Sequence, residues 1–304
     1  MKPKTFVIVG LGFIGGSLAF DIRRRFPSAH VIGVSRSTRK LALAKKRGLI
    51  HEGFAHLRQA FSPKSLARKS PRRGVDFVFI CSPVDTIPSL VSQVNRYAQP
   101  DTLVTDVGST KREITRCVDR MHFRRIQFVG SHPLAGSHLA GMEHAREGLF
   151  DGAFVFLTPT RKSHPRAIRT VSSFWKTLRA SVCVLSPELH DRIVSQISHL
   201  PHAVASILMH LVSSEALRYG ATGFLDTTRV AQGDPRLWAP IFLTNRKNLL
   251  RDLRQFQEAL RKLMGFLEKR SEKSLVVFLK AASLKRSNIR RRSFTQKRTA
   301  FWGL

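Results

Sequence analysis

The sequence predicts an α/β chain in two parts, a doubly wound parallel sheet flanked by helices and then an all-α segment. Three observations carry this prediction. Short β-branched runs alternate with helical apolar spacing from Thr5 to about Leu185, the pattern of parallel strands joined by crossover helices. A glycine-rich turn, Gly10 to Gly16, joins the first run to the first helix. Beyond Ser186 the periodicity is helical to about Leu279, with no convincing strand.

The first strand is Thr5 to Gly10 (TFVIVG), and the first helix, Gly15 to Arg25, has helical apolar spacing at Leu18, Phe20 and Ile22. A second strand, His30 to Ser35, precedes a helix over Lys40 to Arg47. A third, Val75 to Cys81, precedes a helix from Ile87 to Tyr97. Residues 56–74, rich in Arg, Lys, Ser and Pro, read as a variable surface connection. Leu103 to Asp106 and Gln127 to Ser131 are strands on either side of a helix at Arg112 to Arg120. Ala153 to Leu157, a helix over Ala167 to Leu178 and a strand at Ser181 to Leu185 complete the sheet. Ser186-Pro187-Glu188 then supplies an N-cap, a proline for the first helical position and a first-turn acid. The expected domains are therefore 1–187 and 188–280. Residues 281–304, with seven basic and no acidic side chains, form a basic tail that reads as solvated and partly disordered.

The 304 residues hold 52 Lys+Arg against 20 Asp+Glu, a formal charge of +32, yet 42% are hydrophobic. That apolar content excludes a disordered basic tail protein, and at roughly 150 residues per domain the length suits two globular domains. The charge favours anionic partners without choosing among nucleic acid, membrane surface and small polyanions. Cys81, Cys117 and Cys183 are far apart and odd in number, which excludes a disulfide framework and a Cys-rich zinc site and fits a reducing, cytoplasmic setting. Phe6 to Phe20 imitates the apolar part of a signal peptide, but Gly10, Gly12, Gly15 and Gly16 interrupt it, and Asp21 and Arg23 to Arg25 stand where a cleavage site would be. No other stretch approaches the ~18 apolar residues that cross a bilayer.

The turn Gly10-Leu11-Gly12-Phe13-Ile14-Gly15 matches GxGxxG between a strand and a helix. In that context the first glycine permits the tight turn, the second lets backbone approach a pyrophosphate, and the third lets helix pack on sheet. An acidic residue about 20 positions on would accept a ribose 2′-hydroxyl. Ser35 and Arg36 stand there instead, with Arg39 and Lys40 close behind and no carboxylate between Asp21 and Glu52. A hydroxyl and a guanidinium suit a 2′-phosphate, so NADP is preferred over NAD. The cofactor-binding set is Gly10, Gly12, Phe13, Ile14, Gly15, Ser35 and Arg36, with Ser82 and Pro83 after the third strand.

Three further segments concentrate polar groups: Gly130 to Ser137 at a strand's carboxyl end, Ser198 to Ala203 with His199 and His202, and Phe224 to Arg229 followed by Gly233-Asp234-Pro235. TDVGSTK at 105–111, HPLAGS at 132–137, LFDGAFVFLTPT at 149–160, SPELHDRIVSQISHLPH at 186–202 and GFLDTTRVAQGDPRLW at 223–238 add to the glycine turn. In this order, over residues 5 to about 280, the set resembles the prephenate and arogenate dehydrogenases of tyrosine biosynthesis. The resemblance implies a Rossmann-like dinucleotide-binding domain and an all-α domain that forms an intertwined homodimer. It also implies oxidative decarboxylation of a cyclohexadienyl substrate, with hydride transfer to NAD(P).

On the matching motifs, the resemblance implies that His132 is the base that accepts the substrate hydroxyl's hydrogen bond, a role open to an imidazole that is neutral near pH 7. Ser109 shares that contact near the nicotinamide. Arg229 binds a substrate carboxylate, His202 and His199 line the pocket, and Asp226 orients or gates Arg229 through an ion pair. His138 stands where many members carry Glu, which leans toward the keto acid prephenate rather than the ammonium-bearing arogenate. Ser35-Arg36 resembles arogenate-using members, so both substrates stay open. The chain stops soon after the helical part, and no fused mutase or amino-acid-sensing domain is expected. A β-hydroxyacid dehydrogenase would be expected to place a catalytic lysine on a helix of the second domain, yet the helix with SHLPH has none between Glu188 and Leu217. A nucleic-acid-binding protein is motivated by the charge and the tail alone. Neither nucleic acid, membrane nor metal is an expected partner.

Overall fold

The computed structural model describes residues 5–62, 74–123, 125–136 and 141–295. The chain divides into two compact units, Met1–Leu249 and Leu250–Leu304.

The first unit is built on an eight-stranded sheet, β1 (Thr5–Val9), β2 (His30–Val34), β3 (Glu52–Phe54), β4 (Phe77–Ile80), β5 (Thr102–Asp106), β6 (Ile126–Pro133), β7 (Phe154–Pro159) and β8 (Ser181–Val184), in the order β3-β2-β1-β4-β5-β6-β7-β8. All neighbours are parallel except β6 and β7. The connecting helices are α1 (Phe13–Arg25), α2 (Thr38–Lys46), α3 (Ile87–Tyr97), α4 (Arg112–Arg120) and α5 (Pro165–Thr177). Strand order reverses direction between β1 and β4, and a doubly wound sheet opens its ligand crevice at the carboxyl ends of such a pair.

Because helices cover both faces, the central strands are apolar at successive residues rather than alternately. Phe6 and Ile8 enter one core with α1 and α5, while Val7 and Val9 enter the other with α3 and α4. Phe174 sits 4.6 Å from Phe79 and 5.9 Å from Phe6 in ring centroids, beside a fully buried Trp175. Each such ring contributes roughly 1.5–3 kcal/mol by leaving water. The run that imitates an h-region is thus strand, turn and helix of the core.

Two expectations are corrected in this unit. Glu52–Phe54 forms an edge strand that its three-residue length hides, pairing with Ile32 to Val34. The start of the 56–74 connection is a tight turn, Leu57–Phe61, with Leu57 and Ala60 buried in the core rather than on the surface. Residues 63–73 lie outside the described ones.

After Ser186, whose hydroxyl accepts the Leu189 N–H at 3.2 Å, the chain is helical. It runs through α6 (Pro187–Val194), a π turn (Ser195–His199), α7 (Leu200–Leu211), α8 (Ser214–Leu217), α9 (Thr222–Thr228) and α10 (Pro235–Thr244). Helix α6 packs on α4 and β7, and α10 packs on the turn Val84–Thr86 that follows β4. The helical residues therefore stand over the carboxyl ends of the strands.

The second unit comprises most of α11 (Arg246–Glu268) and all of α12 (Glu272–Thr295), joined by a turn in which Arg270 has φ +49°. Phe266 and Phe278 meet edge to face within it. The basic stretch expected as a tail from 281 continues α12 as helix to Thr295, with 281–289 exposed, and residues 296–304 lie outside the described ones. No helix among the described residues is long and apolar enough to cross a membrane.

Candidate active site

The glycine turn sits at the switch point. Gly10 N–H donates to the Val34 carbonyl at 2.8 Å, and Cys81 N–H donates to the Val9 carbonyl at 2.7 Å, which fastens the turn between β2 and β4. Gly10 has φ +96°, and a Cβ there would lie 2.3 Å from the Cys81 carbonyl oxygen; a Cβ on Gly15 would lie 2.0 Å from the Gly10 oxygen. Neither position accepts a side chain. At Gly12, the N-cap of α1, nothing lies within 4 Å of an added Cβ, and no side chain caps the helix. The open space beside Gly12 thus adjoins the uncapped, positive end of a helix, which suits an anionic pyrophosphate.

Ser35 follows the end of β2, its N–H bonded to Phe54 and its hydroxyl accepting the Ser37 N–H at 3.2 Å. Arg36 is exposed beside it. On the other side of the turn, Thr86 Oγ1 lies 2.7 Å from the Pro83 carbonyl and 3.0 Å from Ser82 Oγ. The structure brings all the expected cofactor residues to this one end of the sheet.

The residues expected to be catalytic, His132 and Ser109, lie at the end of β6 and in the loop after β5. Asp106, fully buried, accepts the Gly108 N–H at 2.9 Å and the Ser131 N–H at 3.3 Å, and pairs with the ammonium of Lys111, itself fully buried. Burial pushes the Lys111 pKa down, and the Asp106 carboxylate opposes that shift. This ion pair closes the loop 107–110 that carries the half-buried Ser109. The loop is fastened twice more: Asp191 on α6 accepts the Lys111 and Arg112 N–H groups at 2.7 and 3.0 Å, and Thr110 bonds Thr244 of α10 at 3.0 Å.

His132 lies on β6, 9% exposed. Its Nδ1 is 2.9 Å from His190 Nε2, and His190 Nδ1 is 2.8 Å from Asp191 Oδ1. Burial, with smaller contributions from the charges of His190, Lys111 and His199, holds the His132 pKa well below its ordinary value. Burial likewise takes His190 down to about 2. Both rings are neutral at pH 7.

His199, 1% exposed, ends the π turn, and the Asn245 amide donates to its Nδ1 at 3.1 Å and to the Asp191 carbonyl at 2.7 Å. His202 stacks on Trp238 with centroids 3.6 Å apart and stands edge-on to Phe242. Its buried Nδ1 has no hydrogen-bond partner among the described residues, and burial lowers its pKa. Arg229 opens the turn Arg229–Gln232, which packs on α7, the helix of His202. Arg229 and Asp226 are both exposed, and among the described residues no ion pair joins them, contrary to the expected gate. His138 lies outside the described residues.

The sequence reading passed over Asp106, Lys111, His190, Asp191, Asn245 and Trp238. A lysine and an aspartate flanking a loop at a strand end, and a His-Asp pair in the first turns of a helix, were the available signals. Each reads as a surface charge until the fold buries it.

A dinucleotide cradle at the switch point and a buried, neutral histidine at the neighbouring strand ends define a class, the dinucleotide-dependent oxidoreductases. Within that class, residues 18–184 match the family model described as the nucleotide-binding domain of prephenate dehydrogenase, and residues 186–281 match its dimerization domain. The prephenate dehydrogenase of Bacillus subtilis (strain 168) is 34% identical over 285 residues, 91% of this chain and 74% of that protein. Among solved structures, prephenate dehydrogenase from A. aeolicus in complex with hydroxyphenyl propionate and NAD+ superposes with a TM-score of 0.86 at 32% identity, covering 95% of this chain and 99% of that one. Synechocystis arogenate dehydrogenase superposes with a TM-score of 0.76 at 29% identity, covering 94% and 99%. The chain belongs to the prephenate dehydrogenase family, and its cofactor is a nicotinamide dinucleotide.

Proposed function

We propose that this enzyme oxidatively decarboxylates prephenate to 4-hydroxyphenylpyruvate in tyrosine biosynthesis, with NADP as the preferred acceptor and NAD as the alternative. The observation that carries the reading is the neutral, buried His132 at the strand ends beside a dinucleotide cradle. A bound nicotinamide would supply the acceptor for the hydride on the carbon that bears the ring hydroxyl. His132 takes the hydroxyl's proton as that hydride leaves, and Ser109 shares the hydroxyl contact. Carbon dioxide departs from the opposite ring carbon, its bonding electrons complete the aromatic ring, and the proton returns to the phenolate oxygen. Arg229 binds a substrate carboxylate, with His199 and His202 lining the pocket. Loss of carbon dioxide needs little acid catalysis, because aromatisation drives it.

The NADP preference is supported by Ser35 and exposed Arg36 just after β2, in a stretch with no carboxylate between Asp21 and Glu52. We read 1–187 as the nucleotide domain and 188–280 as the substrate and dimerisation domain, in a cytoplasmic homodimer. Exposed Phe256, Leu260, Met264 and Leu267 form a stripe along α11 that suits burial against a second copy. Purified enzyme is mixed with prephenate or arogenate, each with NADP or NAD, and formation of reduced cofactor is followed by absorbance. Turnover fastest with prephenate and NADP is expected; turnover with arogenate alone, or only with NAD, overturns the corresponding part.

A further inference from the structure

We propose that His190 and Asp191 are positioning residues that hold His132 in the one neutral tautomer able to act as a base toward substrate. The inference rests on the reading of His132 as base and deepens it.

Asp191 accepts backbone N–H groups at both oxygens, from Lys111 at Oδ1 and from Arg112 at Oδ2, so it stands as a hydrogen-bond acceptor. His190 Nδ1, 2.8 Å from Oδ1, must then be the donor. A neutral imidazole carries one N–H, so His190 Nε2 is left as an acceptor. His132 Nδ1, 2.9 Å away, must donate to it. His132 Nε2 therefore carries the lone pair, available to a substrate hydroxyl.

This order matters because a free neutral imidazole prefers its proton on Nε2, and in that tautomer the nitrogen left for substrate would be a donor rather than an acceptor. His190 reverses the preference. When His132 takes the substrate proton on Nε2, its Nδ1–H stays bonded to His190, whose own N–H stays bonded to the carboxylate. No proton needs to travel along the chain for the imidazolium to be stabilised. Asp191 also fastens the loop that carries Ser109, so a single carboxylate sets both the base and the loop beside it.

The test compares His190→Leu, His190→Gln and His132→Asn, singly and combined. A glutamine places its terminal amide near the position of His190 Nε2, where its oxygen accepts the His132 Nδ1–H; leucine offers no acceptor. Because a positioned general base contributes about 10²–10⁴-fold, His190→Leu should lower kcat about 10–100-fold, with His190→Gln recovering most of the loss. In a His132→Asn background, His190→Leu should change kcat less than about twofold, since it acts through His132. With ¹⁵N-histidine labelling, His132 should show a protonated Nδ1 in the wild type and in His190→Gln, and a protonated Nε2 in His190→Leu. Circular dichroism and dinucleotide affinity report folding, and if His190→Leu does not fold, the tautomer in the wild type and in His190→Gln decides. Full activity of His132→Asn refutes the base reading itself. A large loss there with unchanged kcat and tautomer in His190→Leu refutes the positioning role alone, as does equal loss in the leucine and glutamine variants.

Discussion

Replacing Gly12 with alanine separates ligand binding from folding. The residue sits at φ −98°, ψ −155°, extended backbone open to alanine, and nothing lies within 4 Å of the added methyl. The chain therefore loses no contact and gains no strain, and stability should stay within about 0.5 kcal/mol of the parent. The added methyl instead takes the space where a pyrophosphate meets the first amides of α1. Losing one hydrogen bond to a charged group costs about 1.5–3 kcal/mol, so dinucleotide affinity should fall by about tenfold to somewhat over a hundredfold. Affinity is measured by fluorescence titration with NADP and NAD, and stability by thermal unfolding without ligand. Gly15→Ala is the contrast: its Cβ would lie 2.0 Å from a backbone oxygen, so stability should fall along with binding. Unchanged dinucleotide affinity in a folded Gly12→Ala would refute the placement of the pyrophosphate at this turn.

Arg36→Ala should raise KM for NADP about tenfold, the value of one charge-assisted hydrogen bond to a phosphate, and leave KM for NAD nearly unchanged; an equal effect on both removes Arg36 from the 2′-phosphate. Arg229→Ala should raise KM for prephenate about tenfold or more with little change in kcat, and a normal KM ends its assignment to a carboxylate. Stability should fall in acid on account of the buried histidines. Unfolded histidine binds a proton as the pH drops through 6.5, whereas folded His190 waits until about 2, so unfolding takes up a proton and acid favours it. The stabilisation is present above pH 6.5 and is lost below it by up to about 1.4 kcal/mol per pH unit, about 2 kcal/mol by pH 5. Urea titrations of the parent and His190→Gln at both pH values measure it, and a parent no more acid-sensitive than the variant would disprove the argument.

The alternation of apolar strands with helical spacing, the glycine turn and the N-cap at Ser186 are local signals, because strand period, turn conformation and capping are decided within a few residues. They made the doubly wound sheet and the change to an all-α segment legible, and the ordered motifs pointed to His132 and the cofactor turn. Edge strand Glu52–Phe54 escaped because three residues are too few to carry a period, and its strand character comes from pairing with β2. The stretch from 281 escaped because α12 extends there with its 281–289 residues exposed, so no apolar stripe marks it.

Local patterning along the chain was enough for the layers, the change from α/β to all-α and the chemistry on offer, histidines and arginines suited to an anionic substrate and a dinucleotide. Only the tertiary structure decided which of those groups act together. Lys111 and Asp191 look like ordinary solvated charges along the chain, yet the packing of α6 against α4 and β7 buries both and brings the adjacent pair His190-Asp191 to His132. The proton on a neutral imidazole is placed by its hydrogen-bond partners, and those partners, 58 positions apart for the two histidines, meet only in the fold.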